Sequence, residues 1–174
     1  MPSRTNQHTR RTQRLTASAM FSALALIFSY IEAILPINVG VPGVKLGLAN
    51  LIIIIALYEL DARYAFFINL IRIFLAGLLF TGVMAMLYSL AGGMISLLIM
   101  VLLKKTGKFS MIGVSMAGGV SHNFGQLLVA SFVVSNLKMF LYFPILVFTG
   151  IASGIGIGIV AYIIDRRIPR SLLH

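Results

Sequence analysis

Residues 15–164 form a succession of apolar runs, interrupted only by short clusters of proline, glycine or charged residues. Hydrocarbon cannot satisfy a bare peptide group, so a chain of this kind folds as helices whose backbone bonds are made internally. Of the 174 residues 59% are hydrophobic and 10% charged, against roughly 45–50% and 25% in soluble domains. A soluble fold of this length has too little interior for so much apolar surface. The reading is an all-α integral membrane protein, a multi-pass protein of the cell membrane with the lipid bilayer as its surroundings.

A spanning helix needs roughly 20 apolar residues. On that measure helices are predicted over residues 15–35, 46–60, 63–80, 83–103, 111–134 and 141–164, six in all, the second being short for a span. Pro36, Gly40, Pro42 and Gly43 make residues 36–45 a loop, and Thr81-Gly82 parts the third helix from the fourth. Residues 1–14 read as a basic tail, 15–164 as the membrane domain and 165–174 as a second basic tail. A basic start before an apolar run also has the outline of a signal peptide. Here Glu32 and Pro36 follow the run without a small-residue cleavage site, so the first helix is expected to be retained.

Cytoplasmic loops carry the excess of Lys and Arg. With the N-terminus inside, six spans put Arg4, Arg10, Arg11, Arg14, Arg63, Lys104, Lys105, Lys108, Arg166, Arg167 and Arg170 on the cytoplasmic side. Only Lys45 and Lys138 then lie outside, and Arg72 alone lies within the membrane. Both termini are therefore expected in the cytoplasm. The net charge of +10 marks topology and attraction to anionic headgroups; no nucleic-acid partner is expected.

An ionisable group inside the bilayer costs several kcal/mol unless it faces protein or water. Arg72 is such a group, and Asn69 stands one turn before it on the same helix face. Arg72 either pairs with Glu32 inside the bundle or serves as an anion-binding guanidinium, and the two are compatible if a ligand anion exchanges with the carboxylate. Ser18, Ser22, Ala25, Ser29 and Glu32 form one small and polar stripe on the first helix. Ser115, Gly119, His122 and Gln126 form another on the fifth, with Asn123 adjacent. Such stripes turn inward, either to bond neighbouring helices or to line a pocket. With Lys45 and Asn50, these residues converge on the outer half of the bundle. The expected substrate site is thus Glu32, Lys45, Asn50, Asn69, Arg72, His122, Asn123 and Gln126, suited to a small molecule with an anionic or strongly polar group. Gly150, Gly154 and Gly158, and likewise Ala19 and Ala23, recur at four-residue spacing, the pattern of close helix approach within this chain or with another.

Much chemistry is missing. The four acidic residues, Glu32, Glu59, Asp61 and Asp165, form no aspartate-rich motif to hold magnesium around a diphosphate. There is no phosphate loop, no cysteine and no nucleophilic triad. A lone intramembrane histidine is a poor metal site. No catalytic residue, cofactor or metal is expected.

Several strings carry a resemblance: Pro42-Gly43-Val44-Lys45-Leu46-Gly47-Leu48-Ala49-Asn50, Leu70-Ile71-Arg72 with Gly77, Leu87-Tyr88-Ser89-Leu90-Ala91-Gly92-Gly93, and Gly118-Gly119-Val120-Ser121-His122-Asn123-Phe124-Gly125-Gln126-Leu127. Through them the chain resembles the Gx transporter family, also known as heptaprenyl diphosphate synthase component I, over residues 15–164. That family is similar to the S components of energy-coupling factor (ECF) transporters. The resemblance implies an S-component-like six-helix bundle that captures a small vitamin- or cofactor-like molecule from outside. It also implies two cytoplasmic ATPases and a membrane coupling subunit as partners, with Ala19 and Ala23 as a docking face. The family's other name implies an alternative, a non-catalytic membrane accessory of a prenyl diphosphate synthase. A scaffold without ligand is the third class.

Overall fold

The computed structural model describes residues 4–35 and 47–168, with side chains from residue 11 onward. These residues form six α-helices and no strand: α1 (Arg4–Ile34), α2 (Leu48–Glu59), α3 (Ala62–Ala76), α4 (Val83–Thr106), α5 (Met111–Val134) and α6 (Phe143–Asp165). A π-helical turn, Gly77–Thr81, extends α3, and a 3₁₀ segment, Leu137–Tyr142, leads into α6. The loop expected over residues 36–45 lies outside the described residues.

Local chemistry accounts for most of the boundaries. Asp61 accepts the Ala62 N–H at the start of α3 (2.6 Å), and Ser110 accepts the Gly113 N–H at the start of α5 (3.2 Å). Gly107, at φ 67°, ends α4 in the left-handed region that glycine enters without strain. One boundary differs from expectation: α1 begins at Arg4, not at residue 15. Residues 4–14 contain no Gly or Pro, and adding a residue to an existing helix costs far less than starting one. The apolar helix therefore propagates backward through the basic segment.

The helix at the centre is α2. Nine of its 12 residues are buried, including every position from Leu51 to Leu57, as a helix that is apolar all round requires. The core gathers around it from all the others: Phe21 and Ala25 of α1, Ile68 of α3, Leu97 and Met100 of α4, Val114 of α5 and Ala161 of α6. Lys104 closes its far end, donating from Nζ to the Leu57 carbonyl (2.6 Å) and lying 4.7 Å from the centre of the Tyr58 ring. The outside of the bundle is apolar, with Phe67, Leu98, Phe132 and Phe148 among the exposed side chains.

Among the described residues four segments are long and apolar enough to cross a membrane: Arg11–Ile34, Ala62–Thr81, Val83–Thr106 and Leu137–Asp165. The expectation of six such spans is met only in part. The 12 residues of α2 are too few. α5 has the length of α4, but His122, Asn123, Gln126 and its serines and glycines dilute its apolar character.

The seam between α5 and α6 is built from glycine. A Cβ on Gly150 would stand 2.9 Å from the Val120 Cα, one on Gly154 2.6 Å from the Met116 Cα, and one on Gly158 2.7 Å from the Ile112 Cα. The small-residue face of α6 is thus occupied within this chain. Ala19 and Ala23 of α1, by contrast, are exposed.

Candidate functional site

A cavity lies between the helices, lined by Glu32 of α1, Gly47 and Asn50 at the start of α2, Arg72 of α3, and His122 and Asn123 of α5. The space open to water centres is ≈ 50 Å³, room for about four waters. Five of the expected site residues therefore meet in one place. Lys45 lies outside the described residues.

Arg72 is the cation of this cavity, and it is 6% exposed. Its orientation is set from its own helix: Asn69 Oδ1 accepts from both Nε (3.1 Å) and Nη2 (2.9 Å). Asn69 itself is 1% exposed and stands behind the cavity wall as a positioning residue. Nη1 has no acceptor among the described residues, and no carboxylate there forms an ion pair with the guanidinium. The Arg72–Glu32 pair considered from sequence is thus not made. The Glu32 carboxylate instead accepts the backbone N–H of Gly47.

The remaining expectations divide. Asn123 lines the cavity, but its amide donates to the Leu146 carbonyl (2.8 Å) and Thr149 Oγ1 (3.4 Å), tying α5 to α6. Gln126 does not line it. Its Cγ would be 3.0 Å from a Cβ on Gly92, which wedges the side chain into the α4–α5 contact. Ser18, Ser22 and Ser29 donate to the carbonyls four residues back, of Arg14, Ser18 and Ala25. Only Ser29 of the three also lines the cavity.

Sequence reasoning missed the other hydroxyls. Thr81, Ser89, Ser96 and Ser153 line the cavity, as does Ser115, which was read only as part of a stripe. Ser89 and Ser96 are seven residues apart and so share a face of α4, a signal that was available. Ser96 donates to the Gly118 carbonyl (2.8 Å). Ser115, 5% exposed, has no hydrogen-bond partner among the described residues. Among the described residues no group of three or more His, Cys, Asp or Glu could hold a metal ion.

The glycine pair of α4 acquires a role here. A Cβ on Gly93 would stand 2.9 Å from Asn69 Nδ2 and 3.0 Å from Ile73 Cδ1. Gly93→Ala is therefore expected to push Asn69 off the guanidinium and to cost about 1–3 kcal/mol of stability, as overpacking does. Thermal unfolding in detergent checks this, with Gly113→Ala as the control. A Cβ at Gly113 meets nothing nearer than 3.6 Å, and the unfolding temperature should not move.

A buried guanidinium with spare donors, surrounded by hydroxyls and an amide, binds anions or strongly polar groups by charge-assisted hydrogen bonds. Compared with known proteins, residues 21–164 match the family described as heptaprenyl diphosphate synthase component I. No curated protein and no solved structure matches the chain.

Proposed function

The chain belongs to the heptaprenyl diphosphate synthase component I family, and from that premise we propose that it is a non-catalytic membrane subunit of a prenyl diphosphate synthase that holds an anionic small molecule at Arg72. The observation that carries the reading is the guanidinium itself, buried in the cavity wall with no carboxylate in direct contact among the described residues and Glu32 acting on it only through space. An unpaired buried charge is costly, and a ligand anion offsets that cost. The protein crosses the cell membrane six times with both termini in the cytoplasm, the arrangement favoured by the distribution of its cations. In this reading the catalytic aspartates belong to a separate soluble chain.

Adding vesicles that contain this protein to that soluble synthase should change its rate or the chain length of its product, and Arg72→Gln should remove the effect. An unchanged rate and product distribution would count against the accessory role.

A second reading is supported by where the cavity lies. Its lining reaches Glu32, near the C-terminal end of α1, and Thr81, at the close of the π-helical turn. In the six-span topology both face away from Arg63 and Lys104, toward the outside. A site open there suits an ECF-type S component that captures a small vitamin- or cofactor-like molecule and works with a coupling subunit and two ATPases. Co-purification with an ATPase pair, together with a synthase indifferent to the protein, would select this reading.

A further inference from the structure

α2 is a half-helix, and its first turn lines the same cavity as the cation. Twelve residues rise about 18 Å at 1.5 Å each, against roughly 30 Å of hydrocarbon. Lys104 fixes the far end at the Leu57 carbonyl. The first turn therefore lies part-way across the bundle. There a Cβ on Gly47 would stand 3.0 Å from Ile157 Cδ1, in the body of α6. Arg72, well inside α3, lines the same cavity as Gly47 and Asn50.

The N–H groups of a first helical turn lack the usual acceptors and carry the positive end of the helix dipole. In α2 the Asn50 N–H is taken by the Gly47 carbonyl (2.8 Å), and the Gly47 N–H points out of the helix. No side chain caps α2 at Gly47. What occupies the turn is a carboxylate from another helix, Glu32, bonded to the Gly47 N–H. The second, independent mark of a ligand is Arg72, more than nine-tenths buried, lining the cavity, with Nη1 lacking an acceptor among the described residues.

Resting on the anion reading above, we propose that the first turn of α2 and Arg72 together form a receptor for a phosphate-type anion, and that Glu32 is its resident competitor. In the anion-free protein the Glu32 carboxylate holds the turn. When phosphate oxygens arrive they take the Gly47 N–H and the free guanidinium donors, and two negative groups at one helix end in a low-dielectric interior repel. Glu32 then leaves the turn. A tetrahedral oxyanion presents separate oxygens to the backbone and to the guanidinium, which a two-oxygen carboxylate does less well. The site has the form of a half-helix N-terminus aimed at an anion near mid-membrane.

Titration calorimetry of the full chain in detergent with inorganic pyrophosphate tests this. Glu32→Gln, whose amide oxygen still accepts from Gly47, is expected to bind pyrophosphate about tenfold more tightly than the wild type. Arg72→Gln is expected to bind it roughly a hundredfold more weakly. If the wild type binds and Arg72→Gln does not, but Glu32→Gln is unchanged or weaker, the competitor role is overturned and the anion site stands. Absence of binding by both the wild type and Glu32→Gln overturns both. Acetate binding as tightly as pyrophosphate overturns the phosphate assignment. A readout free of variants is carbodiimide labelling of Glu32 in the wild type, followed by mass spectrometry. Pyrophosphate should accelerate it by releasing the carboxylate, and slower or unchanged labelling overturns the proposal.

Discussion

Arg72→Met is expected to abolish anion binding while raising the thermal stability of the anion-free protein. The two effects have opposite signs because the guanidinium does two opposite things. In the anion-free chain it is a charge 6% exposed, satisfied on one side by Asn69, with no carboxylate in direct contact among the described residues and Glu32 of the same cavity acting on it only through space. Methionine relieves the desolvation cost of that charge, several kcal/mol, against about 1–3 kcal/mol for the buried Asn69 Oδ1 left without its donors, so a net gain is expected. In the bound state the same group meets the anion in a desolvated site, where loss of one charged partner costs roughly 2–5 kcal/mol, or about two to three orders of magnitude in affinity. Calorimetric titration with pyrophosphate reads the loss, and thermal unfolding of the same sample reads the gain. A structural arginine gives the reverse: unfolding at lower temperature, with any binding retained.

The second large effect belongs to the α5–α6 seam. Gly154→Leu is expected to prevent accumulation of folded protein, whereas Gly156→Leu, two residues away, should leave it unchanged. A Cβ at position 154 would lie 2.6 Å from the Met116 Cα and 2.8 Å from the Ser115 carbonyl oxygen, both backbone atoms of α5. Backbone does not yield as a side-chain tip does, so the helices must separate. Even one added methyl is expected to cost about 1–3 kcal/mol. At Gly156 nothing lies within 4 Å of the added carbon, and leucine there simply faces outward. Size-exclusion profiles of detergent extracts distinguish the two. Equal yields would mean that the seam does not hold the bundle. Gly154→Ala adds a functional readout, because Ser115 and His122 of α5 also line the cavity, and a displaced α5 carries them away from Arg72.

The parts of this protein that sequence revealed are those where one residue contradicts its surroundings. A single arginine inside an apolar run marks the cavity, and Asn69 one turn earlier marks the side chain that orients it. α5 occupies its predicted range, residues 111–134, because Ser110 caps one end and Ser135 ends the other at φ 50°. The length of α2 hinted that it does not span alone. What could not be read was depth. Nothing in the string around Gly47 says that this helix begins beside Arg72 in the body of the bundle, since that depends on Lys104 fixing the opposite end. Nor does helical periodicity separate His122 from Gln126: they share a face and both pack against Gly92 of α4, yet His122 lines the cavity and Gln126 does not. The six predicted runs are the six helices of the described residues, yet four segments there are long and apolar enough to cross a membrane. The two helices outside those four, α2 and α5, supply several of the polar groups around Arg72.

The burial of α2 bears on the order in which the protein is made. Emerging from the ribosome before α4, α5 and α6, this helix is too short to settle across a bilayer by itself, and lipid cannot supply the partners that its ends require. Leu97 and Met100 of α4, Val114 of α5 and Ala161 of α6 pack in the same core as its isoleucines, and Lys104, which closes its final turn, is itself in α4. All are synthesised later. Assembly must therefore run in a different order from synthesis: α1, α3 and α4 are long and apolar enough to enter a membrane as they appear, while α2 reaches its final packing only when α6 arrives.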